Sequence, residues 1–153
     1  MIFARTKTPY GFLIRLGEWL KFRKCSFNHV AVVGERGIIQ ATLKGVTDDQ
    51  PIDPKWEYVV IAPPCDRAKL LEFVNAQVGS KYSFLTILSI ALDILSWNWT
   101  PALSNSSRQS WICSGLVGEG MRYGGWLHEF VNVYTVTPQA LFESVAVSGE
   151  DVQ

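Results

Sequence analysis

The chain has 153 residues, 48% of them hydrophobic, and carries 14 basic and 14 acidic side chains. This length and apolar content suit one domain, residues 1–153, with a single core, and the balanced charge argues against a nucleic-acid-binding protein. The three cysteines are too few and too scattered for a disulfide scaffold and form no CxxC zinc motif. We therefore expect a reducing environment, no metal and no cofactor.

The N-terminal 24 residues lean basic and contain no uninterrupted apolar run of the kind found in secretory signals. We expect the chain to be cytoplasmic as synthesised. The basic residues suit either a solvated face or contact with an anionic surface. A short apolar run at residues 1–4 precedes a helical pattern of apolar residues between Phe12 and Phe22.

The next pattern predicts a β-hairpin over residues 27–42. FNHVAVV is rich in apolar and β-branched residues, GERG is typical of a turn, and GIIQAT is typical of a second strand. A two-residue loop would place His29 directly opposite Gln40, and a four-residue loop would make them diagonal neighbours. In both registers they share a face about 5 to 8 Å apart, whereas a three-residue loop would separate them.

Two further elements are predicted before the middle of the chain. Residues 56–62, WEYVVIA, indicate a strand that ends at a double proline. Asp66 is a suitable N-cap for the helix that follows, and the helical pattern ends at Gly79.

The segment 84–97 reads as a mostly apolar helix with a narrow polar stripe. It is shorter than the roughly 20 apolar residues that span a bilayer. Such a helix is either buried in the core of its own domain or forms a contact surface for a protein or a lipid surface.

Beyond the apolar segment, a polar loop at 104–110 leads into a helical pattern that contains Cys113. Residues 131–137 indicate a late strand, and Thr137-Pro138 starts a last short helix. Together these elements predict an α+β fold in which a mainly antiparallel sheet is packed against helices.

Cys113 is the strongest nucleophile candidate. A reactive cysteine needs a stabilised thiolate, a base within reach and a group that orients the base. The polar loop places Cys113 near a helix N-terminus, where the helix dipole favours a thiolate. His29 is the candidate base, and the Gln40 carbonyl can hold its ring. Cys25 and Cys65 open no obvious helix beside a base, so we expect both to be structural.

Two segments resemble the NlpC/P60 superfamily of cysteine peptidases. GSKY at 79–82 and CSGLV at 113–117 are similar to its Gly-x-x-Tyr and cysteine motifs, and HVAVVGERGIIQA at 29–41 is similar to its histidine hairpin. The histidine precedes the cysteine here, which is the order of the circularly permuted papain-like branch. TPQALFESV resembles the segment that closes permuted members.

The resemblance implies that Cys113 is the nucleophile, His29 the general base and Gln40 the orienting residue of a catalytic triad. It also implies that Tyr82 lines the site near the oxyanion. Trp111 and Ser114 flank the nucleophile, so we expect both to contact substrate. The glycine pair that the family carries soon after the tyrosine and its early Gly-Asp-Ile element are both missing from this chain.

The implied activity is acyl transfer to a thiol followed by hydrolysis, with an amide of the bacterial cell-wall peptide as substrate. The missing signal would suit delivery by other means, such as a phage tail or virion. Two alternatives stay open: a lipid-directed thiol acyltransferase or esterase, and a structural or interaction protein of a phage particle in which catalysis has lapsed.

Overall fold

The computed structural model describes residues 1–8, 15, 19, 26–83, 110–126 and 136–150. A five-stranded sheet lies at its centre, and its paired strands are all antiparallel. The strands in chain order are β1 (Ile2–Arg5), β2 (His29–Val33), β3 (Ile38–Thr42), β4 (Gly45–Gln50) and β5 (Glu57–Val60). Their order across the sheet is β4-β3-β2-β1-β5.

The predicted hairpin is formed by β2 and β3 and has a four-residue turn, residues 34–37. The Gly34 N–H donates to the Gly37 carbonyl at 2.8 Å across this turn. A side chain at Gly37 would not fit, because its Cβ would lie 2.7 Å from the Gln50 carbonyl oxygen. Because Val33 pairs with Ile38, the loop has four residues, and this register makes His29 and Gln40 diagonal neighbours.

β4 is a strand that the sequence analysis did not predict. Its burial decreases from Gly45 and Val46 at the start to exposed residues at the end. The strand lies at an edge of the sheet, where polar residues remain solvated. At its first residue the chain comes so close to another backbone segment that a Cβ would lie 2.5 Å from the Ser80 carbonyl.

A short parallel pair, β6 (Lys81–Tyr82) and β7 (Ser110–Trp111), adjoins the large sheet. Tyr82 pairs with Trp111 in this register. The chain just before β6 bonds to β4, because the Val46 N–H donates to Ser80 and the Val46 carbonyl accepts from Gly79. The GSKY segment is thereby brought beside the residues that lead into Cys113.

Three helices complete the described fold: α1 (Arg67–Ala76), α2 (Cys113–Tyr123) and α3 (Pro138–Glu150). Asp66 caps α1 as predicted, accepting from the backbone of Ala68 and Lys69 at 2.8 and 3.2 Å. The helix ends at Ala76, before the predicted end at Gly79. The last helix is 13 residues long rather than short.

Two apolar clusters cover the two faces of the sheet. The larger one joins the sheet to the helices, and α2 packs on β2 and β3 within it. Its strand members alternate with those of the smaller cluster, which consists of Ile2, Ala4, Ala31 and Ile38, with Val33, Ile52 and Trp56 packed against them. The architecture confirms the predicted α+β class and the mainly antiparallel sheet.

Three predicted segments lie wholly or largely outside the described residues: the helical pattern between Phe12 and Phe22, the apolar segment 84–97, and the strand at 131–137, of which only the last two residues are described. Among the helices that the structure does describe, none has the length and apolarity needed to cross a membrane.

Candidate active site

His29 and Gln40 form the centre of the candidate site. The His29 ring nitrogen Nε2 and the Gln40 oxygen Oε1 are 2.7 Å apart. An amide oxygen can only accept, so Nε2 carries the proton and donates. In the neutral ring this leaves Nδ1 with its lone pair, the atom that could accept a proton from a nucleophile.

Both members of this pair are buried, each with 8% of its surface exposed. Burial lowers the pKa of His29 below its ordinary value, and the hydrogen bond to Gln40 partly opposes this effect. The imidazole is consequently neutral at pH 7, which is the protonation state that a general base needs.

Trp56 contacts the imidazole from the loop before β5. The two ring centroids are 5.2 Å apart and the rings meet edge to face at 69°. This contact limits rotation of the His29 ring and excludes water from one side of it. No sequence motif singled out Trp56 as a site residue, although the WEYVV pattern placed an aromatic side chain at the start of a predicted strand.

Cys113 is the first residue of α2, as the sequence predicted for a helix N-terminus. The thiol is 5% exposed and forms no disulfide. Ile112, the N-cap residue, contributes no side-chain hydrogen bond. The backbone N–H groups of Ser114 and Gly115 therefore lie in a helix turn that its cap residue does not saturate, a suitable place for an oxyanion.

The structure brings His29 and Gln40 together but forms no hydrogen bond from either to Cys113. Ala4, the partner of His29 in the β1–β2 register, belongs to the smaller apolar cluster. Cys113 packs in the larger cluster, together with Val30. Since side chains alternate along a strand, His29 projects to one face of the sheet, and the thiol is packed against the other.

The starts of β2 and α2 nevertheless lie at the same end of the fold, because residues 136–139 bridge them. The Ser114 hydroxyl donates to the Val136 carbonyl at 2.5 Å. The Gln139 side chain accepts from the backbone of Ser26, at 2.8 Å, just before β2. Three peptide units span at most about 11 Å, so this bridge keeps the start of β2 close to the start of α2.

Tyr82, Trp111 and Ser114 are the residues predicted to line the site. Tyr82 is partly buried against the larger cluster beside Trp111. Trp111 is 3% exposed, and its indole N–H donates to Gln77 at 3.0 Å. The Ser114 hydroxyl already donates to the Val136 carbonyl. Trp111 and Ser114 thus have packing roles in this structure, and contact of either with substrate stays a prediction.

The remaining described cysteine differs from Cys113. Cys65 is half-buried, and burial together with the neighbouring Asp66 carboxylate raises the pKa of its thiol. A raised pKa disfavours the nucleophilic thiolate at neutral pH. This agrees with the structural role expected for Cys65.

Metal ligands are not clustered in the part of the chain that the structure describes, where no group of three or more histidine, cysteine or acidic side chains could hold an ion. The chain matches no protein-family model, no curated protein and no solved structure.

Proposed function

We propose that the chain is a cysteine hydrolase of the circularly permuted papain-like type that cleaves an amide bond, in which Cys113 is the nucleophile and His29 the base. The observation that carries the proposal is the buried hydrogen bond between His29 Nε2 and Gln40 Oε1. A buried neutral imidazole held by an amide, at the same end of the fold as a cysteine that opens a helix, is the set of groups that thiol-based acyl transfer uses.

The proposed reaction begins when the Cys113 thiol gives its proton to His29 Nδ1 and its sulfur attacks the substrate carbonyl. Backbone N–H groups in the first turn of α2 stabilise the oxyanion. His29 then returns the proton to the leaving amine, and an acyl-enzyme remains. Water, deprotonated by His29, hydrolyses the thioester and regenerates the thiol.

The thiol and the imidazole must approach each other for this reaction. Catalytic hydrogen bonds are often long or poorly aligned before substrate binds and tighten in the substrate complex. His29 is the first residue of β2 and pairs with Ala4 of β1, so the start of β2 must separate from β1 for its ring to reach the thiol. The bridge formed by residues 136–139 keeps that start near α2.

The resemblance to NlpC/P60 enzymes favours a cell-wall peptide as the substrate, and a phage tail or virion as the setting. The test is the release of soluble fragments from purified bacterial peptidoglycan by the wild type and by the Cys113→Ala variant. We expect release by the wild type and none by Cys113→Ala. Release at the wild-type rate by Cys113→Ala would overturn the proposal.

Cys65→Ala is the matched control, because it removes the other described thiol, whose pKa is raised by burial. It should retain the wild-type rate of release. His29→Ala should lose the release activity, since the nucleophile then lacks its base. General acid–base catalysis contributes typically 10²–10⁴-fold, so a loss of at least about a hundredfold is expected.

A second candidate is an interaction protein that keeps the fold after catalysis has lapsed. It is favoured by the packing of Cys113 on the sheet face opposite His29. Alkylation with iodoacetamide at pH 7 separates the candidates. Faster labelling of Cys113 than of Cys65, by about tenfold, supports the hydrolase, whereas slow and equal labelling supports the interaction protein.

A further inference from the structure

The start of α3 makes contacts with the chain segments that lead into both proposed catalytic residues. Gln139 is 4% exposed. Its side-chain oxygen accepts from the backbone N–H groups of Ser26 and Phe27, at 2.8 and 3.3 Å. These two residues lie directly before β2, and His29 follows Phe27 by two positions.

The other half of the Gln139 amide is held from within α3. Its Nε2 donates to the Glu143 carboxylate at 2.9 Å, one helical turn later. This bond fixes which atom of the amide is the oxygen and points that oxygen at the backbone of Ser26. The bond to Glu143 thus orients the acceptor toward the segment that leads into β2.

The same stretch of chain binds the cysteine helix three residues earlier. The Ser114 hydroxyl donates to the Val136 carbonyl, and Ser114 directly follows Cys113. One four-residue segment therefore contacts the neighbour of the nucleophile at one end and the approach to the base at the other.

We infer that Gln139 is a positioning residue that sets where His29 lies relative to Cys113. The inference rests on the proposed function. Gln139 touches neither side chain and acts through the backbone before β2. By fixing this segment to α3, it controls whether the start of β2 can bring the imidazole to the thiol.

Local packing would hold the segment in the fold without this amide. The Phe27 ring lies 4.6 Å from the ring centre of Phe142 and 6.1 Å from that of Phe3. These contacts keep Phe27 attached to both α3 and the sheet. Loss of the Gln139 bonds should therefore change the placement of the backbone before His29 more than it changes the stability of the domain.

The test is the pH profile of Cys113 alkylation by iodoacetamide, read by mass spectrometry of the Cys113 peptide. Gln139→Met keeps the length of the side chain and removes its acceptor. We expect the midpoint of the profile to rise by about one pH unit, toward the ordinary cysteine value near 8.5. Unfolding in urea is measured on the same samples.

A charge-conserving exchange provides the rescue. In Gln139→Glu/Glu143→Gln the carboxylate at 139 can accept from Ser26 and Phe27, and the amide at 143 can donate to it. We expect this double variant to return the midpoint to the wild-type value. Glu143→Ala removes only the bond that orients the amide, so it should raise the midpoint by less than Gln139→Met does. If Gln139→Met does not fold, Glu143→Ala still tests the inference.

His29→Ala separates the two ideas. If it raises the midpoint while Gln139→Met and Glu143→Ala leave it unchanged, the role of Gln139 is refuted and the proposed function stands. If His29→Ala itself leaves the profile unchanged, the proposed function is refuted. A shift in Gln139→Met that the double variant does not reverse would also contradict the positioning role.

Discussion

Replacement of Gln40 by leucine tests the hydrogen bond on which the candidate site depends. The substitution keeps a side chain of similar size and removes the acceptor of His29 Nε2, which lies 2.7 Å from Gln40 Oε1. Both residues are only 8% exposed, so water cannot readily replace the lost partner. A buried donor that loses its acceptor costs about 1–3 kcal/mol, and Gln40→Leu should lower the free energy of unfolding by that amount.

Urea denaturation at pH 7 measures this loss as a lower midpoint at an unchanged slope. Gln77→Leu is the matched control, because it removes the acceptor of the Trp111 indole at a half-buried side chain. Because Trp111 is itself only 3% exposed, its indole N–H is left as poorly solvated as the His29 ring, and Gln77→Leu should cost a similar amount, about 1–3 kcal/mol. A loss under about 0.5 kcal/mol for Gln40→Leu, the ordinary size of a surface effect, would refute the buried bond.

Three other changes test the pH response and the packing. Burial lowers the folded-state pKa of His29, so the free energy of unfolding should fall as the pH drops below about 6.5, by at most about 1.4 kcal/mol per pH unit. The His29→Gln variant, measured by urea unfolding, should depend less on pH. Equal pH dependence of the free energy of unfolding in the two proteins would contradict this. Gly120→Ala should destabilise by about 1–3 kcal/mol, because its Cβ would lie 2.7 Å from Leu70 Cδ1; an unchanged melting temperature would count against the packing of α2 on α1. Asp66→Ala should cost about 1 kcal/mol through loss of the α1 cap, which Asp66→Asn should largely restore.

Local patterns made several elements predictable. The β-branched apolar runs HVAVV and GIIQAT on either side of the GERG turn indicated the hairpin, Asp66 indicated the start of α1, and the polar loop before Cys113 indicated the start of α2. Each of these signals depends on residues that are close in sequence, where strand alternation and helix capping act directly.

Features that depend on distant contacts could not be predicted in this way. The length of the hairpin loop was left open between two, three and four residues. The structure shows the four-residue form, whose Gly37 lies close to the backbone of Gln50 in β4. β4 itself has few apolar residues. The contact of Gln139 with Ser26 joins positions 113 apart in sequence, and no local pattern predicts it.

The sheet faces on which the proposed catalytic residues lie could not be predicted for the same reason. Sequence alternation placed His29 and Gln40 on one face for a two-residue or a four-residue loop, and the four-residue loop that forms puts them there. It could not say which face α2 covers. That depends on how α2 packs on β2 and β3, and this packing puts Cys113 with Val30 rather than with His29.

The central claim is that the Cys113 thiol and the His29 imidazole exchange a proton. The most direct measurement is the NMR titration of the His29 ring in the wild type and in Cys113→Ala. Interacting groups titrate as a pair, so with a peptide fragment of the cell wall bound, where the two groups meet, removal of the thiol should lower the apparent pKa of His29, because the imidazolium loses its thiolate partner. Identical His29 titration curves in the two proteins would contradict the claim.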